Sequence, residues 1–385
     1  MTRKPSRSIP DIQAMRLNGF EENAGPIRVL HAAETVIGGI GSYIDELVCL
    51  QNRHYGAESV RVVVPASQAG FLERVSAAQV IGFQEKQHRL ANAIELAGRV
   101  YAETFNFSPH ILHLHSSYAG LAVRPPMIFL HHKPKVVYCP HGWAFCRDSA
   151  GMLNAISARI EYALSYATDA IVCISHSEHD AAMGAGICRD RLQLICNGID
   201  DDLQQADEGA INWPDNRLHL LFVGRFDRQK GIDVFLEAMR RLGNLAFAYV
   251  VGAPVVNGEA LTAIPDNVTL VGWKSRAEVQ AYYQSADLLV MPSRWEGFGL
   301  VAAEALRAGL PVIASRVGGL VDIVEDGVCG RLVAPESPTA IVDAVSSLDR
   351  EMLRRMGQAG KARANSLFGS TRMFNEMDCL YTRLL

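Results

Sequence analysis

A chain of 385 residues with 49% apolar side chains is long enough for two hydrophobic cores, which excludes a mainly disordered protein. The net charge of −4 comes from 37 basic and 41 acidic residues spread over both halves, so the chain lacks the basic surplus of a nucleic-acid-binding protein. No apolar stretch approaches the ~18 residues of a membrane-spanning helix, and the polar residues 1–25 predict a loose tail and no signal peptide.

The eight cysteines are scattered through the chain, mostly in apolar segments. This usage predicts reduced, packed thiols in a cytoplasmic protein. Cys139 and Cys146 flank a histidine, but the chain contains no CxxC pair, so the sequence gives little support for a zinc site.

Residues 26–200 show alternating strand and helix patterns. The predicted strands cover residues 27–32, 59–64, 111–115, 136–139, 170–174 and 192–195, and helical patterns between them include 89–105 and 152–167. This alternation predicts an α/β domain in which helices cover both faces of a parallel sheet, as in Rossmann-like folds.

A glycine-rich segment follows the first predicted strand. Gly38, Gly39 and Gly41 precede a helical pattern that we expect to begin at Ser42. The backbone N–H groups of Gly38, Gly39 and Ile40 could close on a phosphate, although glycines also serve in ordinary tight turns. The segment does not match the full G-x-G-x-x-G fingerprint of a dinucleotide site.

Histidines occupy the ends of two predicted strands. His113 and His115 point to one side of strand 111–115; a metal pair is conceivable there, but an ordinary strand whose end lines a cleft is the preferred interpretation. His141 follows strand 136–139 almost directly, and the carboxyl ends of parallel strands face the ligand crevice in such folds. Four side chains near strand ends are candidates for contacts with a second substrate: His115, Trp143, Arg147 and Ser175.

The segment 201–216 is acidic and polar without apolar periodicity, which predicts a linker between two domains. Strand and helix patterns begin again in residues 217–365. Predicted strands cover 219–223, 248–251, 268–271, 288–291 and 311–314, and helices fill 337–365. Residues 366–385 form an amphipathic helical pattern.

Two cations follow the first strand of the second half. Arg225 and Lys230 could neutralise a diphosphate, with the arginine fork suited to two phosphate oxygens and the lysine acting as a point charge. The alternative is a pair of solvated loop charges.

The segment from Pro292 to Ala308 combines a turn with a helix. Pro292 stops strand 288–291, and the chain then turns through glycines into a helix whose first N–H groups, those of Gly299 and Leu300, could bind phosphate.

Two carboxylates bracket this turn. Glu296 and Glu304 are eight residues apart, roughly 12 Å along a continuous helix, so they cannot share one proton as an acid–base pair. Each carboxylate can instead accept hydrogen bonds from two neighbouring hydroxyls, as in a sugar or a ribose.

Four motifs together resemble the retaining glycosyltransferases of family 4, which have the GT-B fold. They are the glycine segment Gly38-Gly39-Ile40, the pair His141-Gly142, the G-R-x(4)-K-G segment that contains Arg225 and Lys230, and the E-x7-E segment from Glu296 to Glu304. The resemblance extends from about residue 27 to residue 366. It implies two Rossmann-like domains that face a deep cleft, with the final helix crossing back to the first domain.

The resemblance also implies a nucleoside-diphosphate sugar as donor and no metal or other cofactor. In this interpretation Glu304 holds the ribose, while Arg225, Lys230 and the glycine-segment N–H groups hold the diphosphate. The donor-binding set would be Gly38, Gly39, Ile40, Trp273, Phe298, Gly299, Leu300 and Glu304, and the catalytic set Arg225, Lys230, Glu296 and His141.

The roles of the remaining groups follow from the same resemblance. Glu296 and the backbone around Phe298 would hold the 3- and 4-hydroxyls of the sugar, and His141 would lie near its 6-hydroxyl. Trp273 and its neighbour would meet the base through backbone groups. Retention of the anomeric configuration is expected from the family.

The acceptor and the location of the protein are less well defined. The resemblance suggests a saccharide or a lipid-linked saccharide in bacterial polysaccharide synthesis, with peripheral contact at the cytoplasmic face of the membrane. It does not distinguish UDP from GDP donors or identify the sugar.

Three alternatives remain. A GT-B sugar-nucleotide epimerase would share the donor, a non-catalytic protein could bind it, and a nicotinamide dehydrogenase would need the fingerprint that is missing here.

Overall fold

The computed structural model describes residues 25–86, 88–131, 133–146, 151–201, 211–254 and 263–385. The predicted tail up to residue 24, the candidate Arg147 and residues 202–210 of the predicted linker lie outside the described residues. Within the described ranges, no helix is both long and apolar enough to cross a membrane.

The first domain contains a seven-stranded parallel sheet in the order β3-β2-β1-β4-β5-β6-β7. Its strands are β1 (Val29–Ala33), β2 (Val60–Pro65), β3 (Val80–Phe83), β4 (Ile111–His115), β5 (Lys135–Cys139), β6 (Ala170–Cys173) and β7 (Leu192–Leu194). The α-helices are α1 (Gly39–Tyr55), α2 (Arg89–Asn106), α3 (Ser117–Met127), α4 (Gly151–Ser165) and α5 (His176–Gly184). The central strands are rich in β-branched and aliphatic residues and are buried, as expected for a sheet covered on both faces.

The second domain contains a six-stranded parallel sheet in the order β10-β9-β8-β11-β12-β13. Its strands are β8 (Leu218–Val223), β9 (Ala246–Val251), β10 (Val268–Gly272), β11 (Leu288–Met291), β12 (Val312–Ser315) and β13 (Gly330–Val333). The α-helices are α6 (Ile232–Leu242), α7 (Arg276–Ser285), α8 (Leu300–Ala308), α9 (Leu320–Ile323), α10 (Pro338–Ser346), α11 (Arg350–Leu367) and α12 (Ser370–Leu384). The two parallel sheets with flanking helices confirm the predicted fold class.

The last helix leaves the second domain and packs on the first. The chain crosses where Ile199 and Gly369 form a parallel bridge, directly before α12. Tyr381 of α12 is fully buried, and its hydroxyl lies 2.7 Å from Nδ1 of His113 on β4. The hydroxyl of Tyr55 on α1 donates to Oδ1 of Asp378 at 2.5 Å. The first domain is therefore completed by the end of the chain.

The start of α1 differs from the prediction. The helix begins at Gly39 and not at Ser42, so the glycines form its N-terminal turn instead of a preceding loop. Gly38 caps the helix with a φ of 83°, and a Cβ at Gly41 would lie 2.0 Å from the carbonyl oxygen of Val36. The close approach to Val36 explains why a residue without a side chain is needed inside this turn.

Candidate active site

The N-terminus of α8 is shaped by glycine. β11 ends before Pro292, and the chain reaches the helix through Gly299, which has a left-handed φ of 106°. The left-handed conformation favours glycine here, and a Cβ at Gly299 would also lie 2.7 Å from the terminal methyl of Leu320, which would have to move. The first N–H groups of α8 have no partner inside the helix and carry its positive dipole end.

The two domains meet at their glycine segments. The Cβ position of Gly39, at the start of α1, lies 3.6 Å from Leu300 at the start of α8. The Cβ position of Gly297 lies 3.3 Å from the backbone nitrogen of Gly142. The structure thus brings three of the four sequence motifs together between the domains, with two helix N-termini close to each other. This arrangement suits an anion.

Lys230 joins the fourth motif to this cluster. Its Nζ lies 2.7 Å from Oε2 of Glu296, and both side chains are mostly buried. Oγ of Ser293 donates to the same carboxylate oxygen at 3.3 Å. The N–H of Gly319 donates to the backbone carbonyl of Glu296 at 3.2 Å, and this hydrogen bond stabilises the turn before α8.

Arg225 is oriented by its own loop. Its Nη2 lies 3.1 Å from Oδ2 of Asp227 and donates to Oε1 of Gln229 at 3.0 Å. The carboxylate of Asp227 also accepts the backbone N–H of Lys230 at 3.0 Å. The sequence predicted a pair of cations for a diphosphate, with solvated loop charges as the alternative. In the structure both cations are paired with carboxylates.

Glu304 lies on α8, away from the helix start. Its Oε2 accepts a hydrogen bond of 3.1 Å from the hydroxyl of Tyr283 on α7. Burial raises the pKa of the Glu304 carboxyl, and the positive charge of Arg276 partly opposes this effect. Among the described residues, the hydroxyl of Tyr283 is the side-chain donor to this carboxylate, and it occupies Oε2, so Oε1 can accept from a ligand hydroxyl.

His141 occupies a strained position after β5. It has a φ of 52°, a left-handed value that is uncommon for a residue with a side chain and is often found at functional sites. Its Nε2 lies 3.0 Å from Nδ1 of His115, and its ring packs on the edge of Tyr43 at 4.7 Å. Burial lowers the pKa of His141 to about 3, so the imidazole is neutral near pH 7.

Three of the four residues predicted to contact a second substrate need correction. His115 and Ser175 are fully buried, and Trp143 is 1% exposed. Trp143 donates its indole N–H to the carbonyl of Glu178 at 2.9 Å, and Ser175 caps α5. These three side chains are packed inside the first domain and do not line the cleft. Arg147 lies outside the described residues.

Two donor-side predictions depend on backbone groups. Trp273 follows β10 and is 60% exposed, so its ring contributes little to the core. Phe298 is buried and packs edge-on against Phe368 at 5.6 Å. The Phe298 ring therefore anchors the turn, and only its backbone can face a ligand.

Glu178 is a site residue that the sequence analysis missed. It lies in the first turn of α5, where its backbone N–H donates to Oγ of Ser175 at 3.1 Å. Its Oε2 accepts the N–H of Ile174 at 3.0 Å, and its Oε1 lies 3.3 Å from the Cβ position of Gly297 in the other domain. The S-x-x-E capping pattern was the available signal.

Replacing Glu178 by glutamine should stabilise the protein at alkaline pH. Burial raises the pKa of Glu178 from 4.5 to about 8, so the folded protein retains a proton that the unfolded chain releases between these values. The buried carboxyl therefore lowers the free energy of unfolding progressively as the pH rises from 4.5 to 8. We expect Glu178→Gln to raise the Tm at pH 8 and to change it little at pH 5. The rise should be about 2–4 °C for each kcal/mol that the substitution adds to the free energy of unfolding.

The control is Glu73→Gln, because Glu73 is exposed. Its melting profile should follow that of the wild type at both pH values. Equal Tm values for Glu178→Gln and wild type at pH 8 would contradict the raised pKa.

Two family models match consecutive parts of the chain. The model described as Glycosyltransferase Family 4 matches residues 37–203, and the model described as Glycosyl transferases group 1 matches residues 204–363. Together they cover both domains and all four motifs.

Individual relatives agree with this match. An uncharacterized 41.2 kDa protein in the cps region of Klebsiella pneumoniae is 31% identical over 364 residues, which cover 92% of this chain and 99% of the relative. A D-inositol 3-phosphate glycosyltransferase of Mycolicibacterium smegmatis is 34% identical over 179 residues, 42% of this chain and 41% of the relative.

Solved structures share the fold at low sequence identity. Sucrose-phosphate synthase from Thermosynechococcus elongatus superposes with a TM-score of 0.77 at 20% identity and covers 93% of this chain and 99% of its own. The Anabaena protein HepE in complex with UDP-glucose gives 0.76 at 18% identity, with coverages of 92% and 100%. With the family models and the four motifs, these matches show that the chain is a member of the group 1, family 4 glycosyltransferases with the GT-B fold.

Proposed function

We propose that the protein transfers a hexose from a nucleoside-diphosphate sugar to an acceptor hydroxyl, with retention of configuration and without a metal ion. One observation carries this proposal. The ion pair between Lys230 and Glu296, at 2.7 Å, lies beside the N-terminus of α8 where that helix faces the N-terminus of α1. Positive charge for a diphosphate and a carboxylate for sugar hydroxyls are thus adjacent.

The donor would lie along this cluster. The diphosphate would contact the N–H groups of Gly39 and Leu300 together with Lys230 and Arg225. Glu304 would accept hydrogen bonds from the ribose, since a carboxylate oxygen suits a hydroxyl donor. The sugar would then extend between Glu296 and His141.

Catalysis would depend on positioning and charge. As the glycosidic bond breaks, negative charge develops on the leaving diphosphate, and the fixed cations Arg225 and Lys230 stabilise it. Asp227 and Glu296 hold these cations in place before the donor binds, which reduces reorganisation during the reaction. The acceptor hydroxyl would attack from the face that the diphosphate leaves and would pass its proton to the departing phosphate oxygen.

The relatives suggest where to look for donor and acceptor. HepE structures contain UDP, UDP with glucose, and UDP-glucose, which makes UDP-hexoses the first donors to test. The Klebsiella relative is described as a protein in the cps region, which supports a role in polysaccharide synthesis. We therefore propose a saccharide acceptor.

The surface of α4 supports a lipid-linked form of that acceptor. This helix follows the His141 segment in the first domain, and one set of its apolar side chains is exposed. The set comprises Met152, Leu153, Ile156 and Ile160. Exposed apolar side chains clustered on one helix are typical of interaction with a membrane or another apolar surface.

A donor panel tests the proposal. The purified chain is incubated with UDP- and GDP-linked hexoses without acceptor, and released nucleotide is measured; slow release from one donor is expected. Lys230→Ala should slow this release. Its matched control is Lys274→Ala, because Lys274 pairs with Glu278 on the exposed surface of the same domain. Addition of EDTA should leave the rate unchanged if no metal is required.

The other outcomes separate the rival functions. Conversion of one sugar nucleotide to its epimer, without release of nucleotide, would establish the epimerase instead. Thermal stabilisation by a sugar nucleotide without turnover, even with saccharide and lipid-linked acceptors, would establish a binding protein. Stabilisation by NADH alone would indicate a dehydrogenase. Once an acceptor is known, the anomeric coupling constant of the product reports retention or inversion.

A further inference from the structure

A row of hydrogen-bonded side chains lies beneath His141. Nε2 of His31 is 2.7 Å from Oε1 of Gln51, and Nδ1 of His31 is 3.0 Å from Nε2 of His115. Nδ1 of His115 is in turn 3.0 Å from Nε2 of His141. Four side chains from α1, β1, β4 and the segment after β5 thus form one continuous row.

The fold places His31 and His115 on one face of the sheet. β4 lies beside β1, and the register pairs His31 with His113 and Ala33 with His115, so His31 and His115 are diagonal neighbours. Gln51, His31 and His115 are fully buried. Nε2 of Gln51 has no hydrogen-bond partner among the described residues, but every contact along the row itself is a hydrogen bond. Such a buried row orders its members, since a broken bond would leave a further polar atom unpaired.

The histidines of the row are neutral near pH 7. Burial lowers the pKa of His31 to about 4, although the hydrogen bond with Gln51 partly opposes this effect. Burial and neighbouring histidines lower the pKa of His115 well below its ordinary value. A neutral imidazole has one N–H donor and one lone-pair acceptor, so each ring can pass a hydrogen bond in only one direction.

Gln51 fixes that direction. Its amide oxygen can only accept, so Nε2 of His31 must carry the proton, and Nδ1 of His31 must accept from His115. The same argument applied to His115 makes its Nδ1 an acceptor. Nε2 of His141 must then be the donor.

We propose that Gln51, His31 and His115 are positioning residues that hold His141 in the Nε2–H tautomer, leaving Nδ1 as an acceptor for a hydroxyl of the donor sugar. This inference rests on the proposed function for its substrate, but the tautomer itself does not. His141 is half-buried, and among the described residues no hydrogen bond reaches its Nδ1. In the reverse direction His141 would present an N–H and could not accept from a hydroxyl.

A metal site is the competing explanation. One nitrogen from each of His31, His113 and His115 lies within 4.8 Å of the others. Within the part of the chain that the structure describes, Nε2 of His113 is buried without a hydrogen-bond partner and is available to such an ion. An ion bound through the two nitrogens of the 3.0 Å contact between His31 and His115 would need a lone pair on each, which removes the proton that joins them. The hydrogen-bonded row and an ion on these two nitrogens are therefore mutually exclusive.

The decisive experiment is ¹⁵N NMR of the full chain with labelled histidine, without substrate. The His141 signals are assigned by comparison with His141→Gln. We expect a pyrrole-type Nε2 and a pyridine-type Nδ1 that do not change between pH 6 and 8. A pyrrole-type Nδ1 would overturn the proposal, as would one equivalent of metal in the purified protein.

Two variants separate positioning from general structural support. His115→Phe keeps a ring but removes both hydrogen bonds, so His141 should show averaged nitrogen shifts. His113→Phe is the matched control, because His113 is equally buried on the same strand but lies outside the row. It should leave the His141 signals unchanged.

Turnover adds a second measurement for any donor that the panel identifies. His115→Phe should lower kcat/KM by about tenfold, as expected for one disturbed hydrogen bond, with unchanged affinity for the free nucleoside diphosphate. His113→Phe should stay within about twofold of the wild type. Equal losses in both variants would assign His115 to structural support only. If no donor of the panel is turned over, the proposed function is refuted, but the NMR result still decides the tautomer of His141.

Discussion

Lys230→Ala should lower kcat/KM for sugar transfer by about 100- to 1000-fold. The Nζ of this lysine lies 2.7 Å from Glu296, in the turn that leads into α8. Removal of one preorganised group that stabilises developing charge typically costs this much. The variant should show the wild-type circular dichroism spectrum, because the side chain lies at the cleft and not in a hydrophobic core.

The effect should fall mainly on kcat if Lys230 acts as the leaving group departs. Lys274→Ala again serves as the control and should keep at least half of the wild-type rate. A folded Lys230→Ala protein with wild-type kcat/KM would refute the assignment of the diphosphate site.

Glu304→Ala should weaken donor binding by about 100-fold or more. Hydrogen bonds to a charged group contribute about 1.5–3 kcal/mol each, and the alanine variant would lose those to the ribose. It would also leave the hydroxyl of Tyr283 without its partner, which lies at 3.1 Å in the structure. Isothermal titration with the free nucleoside diphosphate measures the loss directly.

Companion variants identify the cause of that loss. Tyr283→Phe removes only the supporting hydrogen bond and should weaken binding by about tenfold or less. Glu237→Ala changes an exposed glutamate of the same domain and should bind as the wild type does. If Glu304→Ala binds nucleotide normally while its thermal unfolding is unchanged, the ribose contact must lie elsewhere.

The fold could be inferred because each strand and helix has a strong local pattern. The central strands β1, β4 and β11 are short, mainly apolar runs that are followed by a polar residue or by proline, and such local patterns can be recognised without the tertiary structure. The edge strand β3 was missed because its four residues VIGF are half-exposed and too few to show a period. The helix α3 was missed too, and Pro125 and Pro126 lie in its last turn.

The site could be inferred only in part. Spacing located Arg225, Lys230 and Glu296, whose residue types have few roles at strand ends. It could not show that both cations pair with carboxylates, because these contacts depend on how loops fold back. The sequence also could not show which of the candidate side chains are buried.

His115, Trp143 and Ser175 occupy the same kind of position as His141, yet they point into the domain. Position at a strand end therefore identifies candidates, and only the three-dimensional packing separates those that face the cleft from those that support it.

The crossing of α12 has a consequence for synthesis on the ribosome. The first domain has Tyr381 in its core, beside His113, and its helix α1 is bonded to Asp378. Residues 29–194 can form their sheet early, but the space for Tyr381 stays open until α12 emerges. We expect the first domain to remain incomplete and sensitive to proteases while the second domain is synthesised. Nascent chains that lack α12 should depend most on chaperones.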